Sequence, residues 1–445
     1  MYKRVLAAKL SLHTGEVVTL KGWVRRTRAV SAELAFLILA DQSGEAQAVF
    51  SGSAAGSLPS LESAVQVRGI VVPSRSRAFP VELQVEELLV LNPAENLPFP
   101  INKPALEVGL DLIDRFRPLC LRHPSLQQVF RVQQQIVMYF EQYFAQQGFI
   151  RVSTPKIVAT GTEGGAELFS VNYFGDIAYL AQSPQFFKQM LVGSGFERVF
   201  EVGPVFRAEE HRTSRHLNEY ISLDTEMGFV DDVNELMDLE EAFLKSLLPL
   251  LHHEFGEAIK CAPEIPPIPR LALKDALSIL KQEYGKDIST DENIDPEGER
   301  LISQWAEREY GVPAVFLHSY PRSIRPFYAL PGRQDDTLTE SFDLIYRGLE
   351  ITTGGLRQHS LALLLASMKG RGLHPEHYEF YLQVFRYGMP PHGGFAIGAE
   401  RLTMQLLGLK NIREASILPH QSGLGAQTPE NSARKVSCRV NEQGL

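Results

Sequence analysis

The spacing of apolar residues changes once along this chain, and the change falls at a proline-rich stretch. Up to about residue 100, short runs alternate apolar and polar positions: VVTLKGWVRRTR, LAFLILADQSGEAQAVF, AVQVRGIVV and PVELQVEELLVL. A period of two belongs to half-buried strands, and the Ser, Gly and Asp residues between the runs form turns, so this part predicts a small β-barrel. NPAENLPFPINKP, residues 92–104, then reads as a linker. From about 125, FRVQQQIVMYFEQYFAQQGF places apolar side chains three and four apart, an amphipathic helix stopped by Gly148, and a strand FIRVSTPKI follows into Pro155. ELMDLEEAFLKSLLPLLHHEF and LALKDALSILKQEYG read as further helices in a mixed α+β block. The expected layout is a barrel over 1–100, a hinge over 101–124, an α+β domain over 125–419 and an unstructured polar tail over 420–445.

With 445 residues, 44% of them hydrophobic, the chain can bury two or three cores. It has no run of eighteen apolar residues, and its start lacks the apolar stretch of a signal peptide, so a cytoplasmic protein is expected. Cys120, Cys261 and Cys438 are scattered without ligand spacing, which argues against a disulfide framework and a structural zinc. The net charge is −9, so any contact with a nucleic acid needs a local basic patch.

Three stretches carry chemistry. In EVGPVFRAEEHRTSRHLNEYISLDTEMGF, residues 201–229, two strand-like runs flank a loop far longer than the two to five residues a hairpin needs, and it holds Arg207, Glu209, Arg215 and His216. Arginine forks suit phosphate or carboxylate, and such a loop can close over a polyanion; surface ion pairs alone would give the same composition. In SFDLIYRGLEITTGG, Asp343 and Glu350 converge if their segments are adjacent antiparallel strands, and hard oxygens beside phosphates are how Mg²⁺ is held. In PPHGGFAIGAERLTMQLLGL, a glycine-rich strand feeds a helix bearing Arg401; the glycines admit either a close planar ligand or tight helix packing.

Taken together, the segment ending in Arg207 and Glu209 and the glycine strand leading to Arg401 resemble motifs 2 and 3 of the class II aminoacyl-tRNA synthetases. The helix and strand before Pro155 resemble motif 1, the dimer-forming element. GTEGGAELF (161–169), QSPQFFKQ (182–189), FRAEEHRTSRHLNE (206–219), GLEITTGG (348–355) and GAERL (398–402) resemble the aspartyl-tRNA synthetases, in their compact archaeal-type branch, over nearly the whole chain to about residue 418. The resemblance implies an OB-fold anticodon-binding barrel followed by an antiparallel-sheet catalytic domain, ATP as substrate with Mg²⁺, L-aspartate, tRNA(Asp) and a homodimer. Whether tRNA(Asn) is charged as well stays open.

Carried over residue by residue, the family's pattern gives ATP to Arg207, Glu209, Arg215, His216, Tyr220, Glu350 and Arg401, with Arg207 and Arg401 catalytic. Asp343 and Glu350 would hold Mg²⁺. Lys188 and Arg357 match the positions that hold the β-carboxylate of aspartate, Ser183, Gln185 and Asp224 those near its α-amino group, and Glu163 sits in a loop that closes over it. Phe36, Gln47 and Glu82 fall at the anticodon-reading positions, although Phe36 lies in an apolar run that also suits a barrel core.

The pattern is broken in three places. Leu356 stands where the branch commonly has Gln, Ala40 where an arginine often precedes Asp41, and the end reads ILPHQSGLGAQTPENSARKVSCRVNEQGL in place of a phenylalanine-proline-arginine-aspartate string. An asparagine-specific relative and a catalytically weakened RNA-binding paralogue are the competing readings. The cation pair Lys188/Arg357 disfavours the first, because an amide would leave buried charge unpaired; intact Arg207, Arg401, Asp343 and Glu350 argue against the second, and the altered end argues for it.

Overall fold

The structure is a computed structural model and describes residues 4–52, 58–162, 168–209, 213–289 and 292–419. Glu163, Cys438 and the tail expected over 420–445 therefore lie outside the described residues. The chain forms two compact units, residues 1–109 with 118–125, and residues 110–117 with 126 onward.

In the first unit, β1 (Val17–Ser31), β2 (Leu34–Asp41), β3 (Gly44–Ser51), β4 (Ala64–Pro73) and β5 (Val81–Asn92) close a barrel in the order β1-β2-β3-β5-β4. The alternation read from the sequence does the sorting: Val65, Val67 and Val71 of β4 and Ala35, Leu37 and Leu39 of β2 point into one core. Gly69 of β4 faces a bulge in β5 at Glu86, and a Cβ on it would stand 1.9 Å from the carbonyl oxygen of Gln84, so the strands approach here as only glycine allows.

The second unit is built on an eight-stranded sheet. The short helix α1 (Leu110–Arg115) belongs to this unit, α2 (Arg117–Cys120) falls almost wholly in the first unit, and α3 (Pro124–Gln146) follows, after which Gly148 takes φ +82°. The strand expected over FIRVSTPKI is much shorter than expected. Only β6 (Ile150–Arg151) pairs with the sheet, and beyond Pro155 β7 (Ile157–Val158) leaves to join β8 (Ser170–Tyr173) and β9 (Asp176–Leu180) in a separate three-stranded sheet. Proline has no N–H to continue a ladder, and the side chain of Glu201 takes over by accepting from the Thr154 N–H at 3.0 Å.

The remaining elements run α4 (Gln185–Leu191), β10 (Arg198–Phe206), β11 (Glu219–Gly228), α5 (Val233–Phe255), β12 (Arg270–Ala272), α6 (Leu273–Tyr284), α7 (Pro296–Tyr310), β13 (Ala314–His318), β14 (Ser341–Tyr346), β15 (Leu349–Arg357), α8 (Leu361–Gly370), α9 (Glu379–Leu382), β16 (His392–Gly398) and α10 (Ala399–Leu407). The sheet order is β12-β13-β14-β15-β16-β11-β10-β6, antiparallel except at its two ends, β12/β13 and β10/β6. One face of the sheet is sealed by α3 and α5. Phe140 and Phe144 of α3 and Phe243, Leu247 and Leu251 of α5 pack against Leu223, Phe342, Phe395 and Ile397, with Phe140 edge-on to Phe243 at 5.5 Å. A capping box between Asp232 and Glu235 starts α5, and burying its apolar face adds far more than propensity. With that face closed, the opposite one is left to carry polar side chains.

Candidate active site

Alternation along the central strands places the chemistry. In β11, Ile221, Leu223 and Met227 enter the core, so Tyr220, Ser222, Asp224 and Glu226 project to the other face. In the neighbouring β16 that face is nearly bare, made by Gly394, Ala396 and Gly398. Ala396 pairs with Asp224 on one side and with Thr353 of β15 on the other. Gly394 is required: a Cβ there would lie 2.1 Å from the Thr225 carbonyl oxygen and 2.5 Å from Glu226 Oε2. The low floor opens a cavity of about 530 Å³ lined by side chains from the β10–β11 hairpin, α4, β15, β16 and α10.

Two cations stand at one part of this cavity. Lys188 Nζ of α4 lies 3.1 Å from Asp224 Oδ1 and 3.3 Å from Glu226 Oε2, and Arg357, at the end of β15, donates from Nε to Glu226 Oε1 at 3.1 Å and from Nη2 to the Gly394 carbonyl at 3.0 Å. All four side chains are more than nine-tenths buried. Burial pushes the Glu226 carboxyl up, but Arg357 and Lys188 outweigh it and leave the group below the usual carboxylate range. Behind them, burial pushes His392 down to about 4, so its imidazole is neutral at pH 7 and bridges the side chain of Gln189 and the Pro390 carbonyl. Ser183 and Gln185 line the same part, and the Gln185 Nε2 group is buried with no hydrogen-bond partner.

A second cluster comes from the charged loop and α10. Asn218 holds the loop by donating to the carbonyls of Arg207 and Glu209, both at 2.8 Å. The Arg207 guanidinium lies 5.8 Å from the Tyr220 ring centroid, and burial raises the Tyr220 phenol against the pull of Arg207 and Arg401. His216 Nδ1 meets the Thr213 hydroxyl at 2.6 Å, and its other nitrogen is 4.0 Å from Glu209. Arg215 is ion-paired with Glu299 of α7, whose carboxyl burial pushes up to about 7. Arg401 donates to the Glu350 carbonyl at 2.8 Å and to its carboxylate at 3.4 Å. Twelve of the expected residues line this one cavity: Arg207, Glu209, Arg215, His216 and Tyr220 from the hairpin, Ser183, Gln185, Lys188 and Asp224 around α4, and Glu350, Arg357 and Arg401 beyond.

Asp343 is placed differently from Glu350. It is 1% exposed and sealed beneath Arg325, whose Nη2 donates to Asp343 Oδ2 at 2.6 Å while its guanidinium lies 3.6 Å from the Tyr320 ring centroid. Burial raises the Asp343 carboxyl, Arg325 lowers it and the nearby Glu350 raises it again. A bulge joins these groups: Leu344 pairs with Thr352 but Ile345 with Glu350, so the extra residue Ile351 turns Glu350 onto the face of Thr353, the partner of Asp343. Thr353 Oγ1 donates to Glu350 Oε1 at 3.1 Å. The donor set is all hard oxygen, and Asp343 Oδ1 is buried with no hydrogen-bond partner, which fits Mg²⁺ held by one or two carboxylates together with substrate phosphates. Consistently, the described residues contain no cluster of three His, Cys, Asp or Glu that would hold a metal unaided.

On the barrel, Phe36 is half-buried and lies outside the core, its neighbours across the strands being Arg28 and Val49. Gln47 pairs with Ile38 on one side and Glu82 on the other, and Glu82 Oε2 accepts from Gln47 Nε2 at 2.8 Å and from the Ser74 hydroxyl at 2.6 Å. An aromatic ring, an amide and a carboxylate thus share the outer face of β2, β3 and β5 with Arg26 and Arg28.

A family model described as tRNA synthetases class II (D, K and N) matches residues 110–422, and one described as an OB-fold nucleic acid binding domain matches residues 18–91. The chain is a class II tRNA synthetase of the D, K and N group. The synthetase is 46% identical over 422 residues, 94% of its length and 98% of the relative's, to the aspartate–tRNA(Asp/Asn) ligase of Thermus thermophilus. It is 40% identical, over 91% of its length and 95% of the relative's, to the aspartate–tRNA(Asp) ligase of Thermococcus kodakarensis. Among solved structures, the asparaginyl-tRNA synthetase of Pyrococcus horikoshii complexed with asparaginyl-adenylate superposes with a TM-score of 0.86 at 29% identity, covering 95% of the synthetase and 99% of that chain. The aspartyl-tRNA synthetase of Entamoeba histolytica gives 0.81 at 28%, covering 94% and 92%.

Sequence reasoning missed Glu226, which anchors both Lys188 and Arg357, and Arg325, which covers Asp343. A signal for Glu226 was present in the polar stripe at 220, 222, 224 and 226. None existed for Arg325, which lies in a loop with its partner eighteen residues away on β14.

Proposed function

We propose that this synthetase activates L-aspartate with ATP and transfers it to the 3′ end of tRNA(Asp). The observation that supports aspartate over asparagine is the pair Lys188 and Arg357, buried in the wall of the cavity that also carries Arg207 and Arg401. Asp224 and Glu226 already hold these two cations, and a substrate carboxylate would share their charge-assisted donors, whereas an amide brings no charge to share them. The fold alone does not separate the two substrates, since relatives of both kinds superpose on it.

In the reaction an oxygen of the aspartate α-carboxylate attacks the α-phosphorus of ATP, the bond to the bridging oxygen breaks, and pyrophosphate leaves. Arg207, set above Tyr220, stabilises charge on the α-phosphoryl oxygens, His216 and Arg401 face the leaving phosphates, and the Tyr220 ring and Glu209 hold the adenine. Ser183, Gln185 and Asp224 orient the α-amino group. Glu350, with Asp343 and Thr353, would hold Mg²⁺, which supplies Lewis-acid stabilisation of the phosphates. The ribose 3′-hydroxyl of the tRNA then attacks the adenylate carbonyl and AMP leaves. Phe36, Gln47 and Glu82 read anticodon bases by stacking and hydrogen bonding.

Pyrophosphate exchange into ATP tests this reading. Exchange is expected with aspartate and absent with asparagine, and the reverse pattern, or none, overturns it. Charging of tRNA(Asn) as well is the second reading, supported by relatives at 42–46% identity that are aspartate–tRNA(Asp/Asn) ligases, against tRNA(Asp) ligases at 38–40%. Charging each purified tRNA decides it. We also place the enzyme in the cytoplasm as a homodimer formed through α3 and β6, the motif 1 elements; light scattering measures its mass in solution.

A further inference from the structure

Two groups that line the cavity, Arg215 and Glu350, are joined behind it by one carboxylate oxygen. Glu299 Oε2 of α7 pairs with the Arg215 guanidinium on the return of the charged loop and accepts the Glu350 N–H at 2.9 Å. Glu299 is 6% exposed and stands outside the cavity lining, so it acts through these partners and not on a substrate.

The fold brings α7 here to hold a turn. Glu299 and Ser303 are one helical turn apart, on the side of α7 that meets the two-residue turn between β14 and β15. Arg347 and Gly348 form that turn at φ +50° and +81°, and a Cβ on Gly348 would stand 3.1 Å from Arg300 Cα, so the turn lies directly against the helix. Three backbone N–H groups are received on this side: Arg347 by the Pro313 carbonyl at 2.7 Å, Gly348 by the Ser303 hydroxyl at 2.9 Å, and Glu350 by Glu299. The registered pairs of β15 with β16 begin only at Thr352, so the Glu350 N–H is taken by a side chain instead of a strand.

The bulge makes this contact matter. Its extra residue, Ile351, turns Glu350 toward Thr353, the partner of Asp343, and interrupts the ladder that would otherwise fix the backbone. Arg401 of α10 donates to the Glu350 carbonyl at 2.8 Å while Glu299 takes its N–H, so side chains from two helices pin the peptide groups on either side of this one residue. We infer that Glu299 is a positioning residue for the phosphate end of the site: through the Glu350 backbone it aims the Glu350 carboxylate at a divalent cation carried by the ATP phosphates, and through Arg215 it ties the charged loop to the same point. The inference rests on the ligase reading and names a residue on which its metal step depends. Removing a group that orients a metal-binding side chain typically lowers metal affinity by about 10- to 100-fold. Lys188 and Arg357 are held by Glu226, so aspartate binding serves as the internal control.

The test compares wild type, Glu299→Ala and Glu299→Gln, each saturated with an ATP analogue that carries a methylene group between the α- and β-phosphorus and cannot release pyrophosphate. Mn²⁺ affinity, followed by electron paramagnetic resonance, is expected to fall roughly tenfold or more in the alanine variant and to stay within about threefold of wild type in the glutamine variant, whose amide oxygen still accepts the Glu350 N–H. KM for aspartate in pyrophosphate exchange should stay within about twofold in both, as for a distant site. Should the alanine variant fail to fold, Ser303→Ala, which removes the acceptor of the Gly348 N–H, is expected to weaken Mn²⁺ by about threefold with the same control. Unchanged Mn²⁺ affinity in Glu299→Ala, or in Ser303→Ala where it stands in, overturns the inference. So does a glutamine variant as weak as the alanine one, or an equal loss of Mn²⁺ and aspartate affinity, the sign of a loosened fold. A wild type that binds Mn²⁺ with the analogue but does not exchange with aspartate would instead remove the ligase reading.

Discussion

Arg325 lies across Asp343, 2.6 Å from Nη2 to Oδ2, with both side chains more than nine-tenths buried and a tyrosine ring beneath the guanidinium. Glu350, the other carboxylate expected to face a metal, carries Arg401 at 3.4 Å. Two acids and two arginines cancel, so this part of the site offers a free divalent cation no net charge. Phosphates must bring the excess negative charge with them.

Replacing Arg325 by Gln should therefore change metal binding before it changes chemistry. In the absence of ATP, Mn²⁺ followed by electron paramagnetic resonance is expected to bind the variant at least tenfold more tightly than wild type. The variant should also melt earlier, since removing one member of a buried pair costs about 3–5 kcal/mol, and Mn²⁺ should recover part of that loss. Equal Mn²⁺ affinity in the two proteins would refute the charge argument.

Gly394→Ala tests the floor of the cavity. The new methyl group would overlap the Thr225 carbonyl and Glu226, which holds Lys188 and Arg357. The strand cannot yield without breaking its pairing with β15, so a loss of more than about 2 kcal/mol in urea unfolding is expected, with weaker aspartate binding in whatever folds. A variant as stable as wild type would show that β16 is free to move.

Glu240 of α5 is fully buried, accepts from the Thr352 hydroxyl at 2.5 Å, and is pushed by burial up to about 8. Its folded pKa is raised above the unfolded value, so from about pH 4.5 to 8 the folded state holds a proton that the unfolded state has released. Stability then falls as pH rises through this window, by up to about 1.4 kcal/mol per unit. Glu240→Gln should remove that slope, being most stabilising near pH 8 and neutral near pH 4.5. Parallel stability–pH curves for the two proteins would show that Glu240 is ionised in the fold.

Arg207→Ala is expected to lower exchange by 10² to 10³, about 3–4 kcal/mol of transition-state stabilisation, with the melting temperature little changed because the side chain faces the cavity. Near-normal exchange would separate Arg207 from the phosphate.

Much of this could be read along the chain. The period-two runs before residue 92 specify strands wherever a core covers one side, because successive side chains leave a strand on opposite faces; Val65, Val67 and Val71 follow that rule. The stripe Tyr220, Ser222, Asp224 and Glu226 carried the same signal, although Glu226 was not picked out from it, while helices α3, α5 and α6 were legible from apolar spacing of three and four. The strand beyond Ile150 was misjudged because an apolar run does not say which sheet it will join, and Pro155 sends it to a second one.

What only the folded chain decided is which distant charges meet. Local pattern reports the face of a residue but not its partner, since pairing depends on how strands far apart in sequence are ordered and on a single bulge at Ile351. Hence Arg325 on Asp343, Glu226 between Lys188 and Arg357, and the gathering of residues 274, 322, 333 and 371 around one cavity appear only in three dimensions. Coulomb energy depends on distance through space and on burial, and neither is a property of sequence separation.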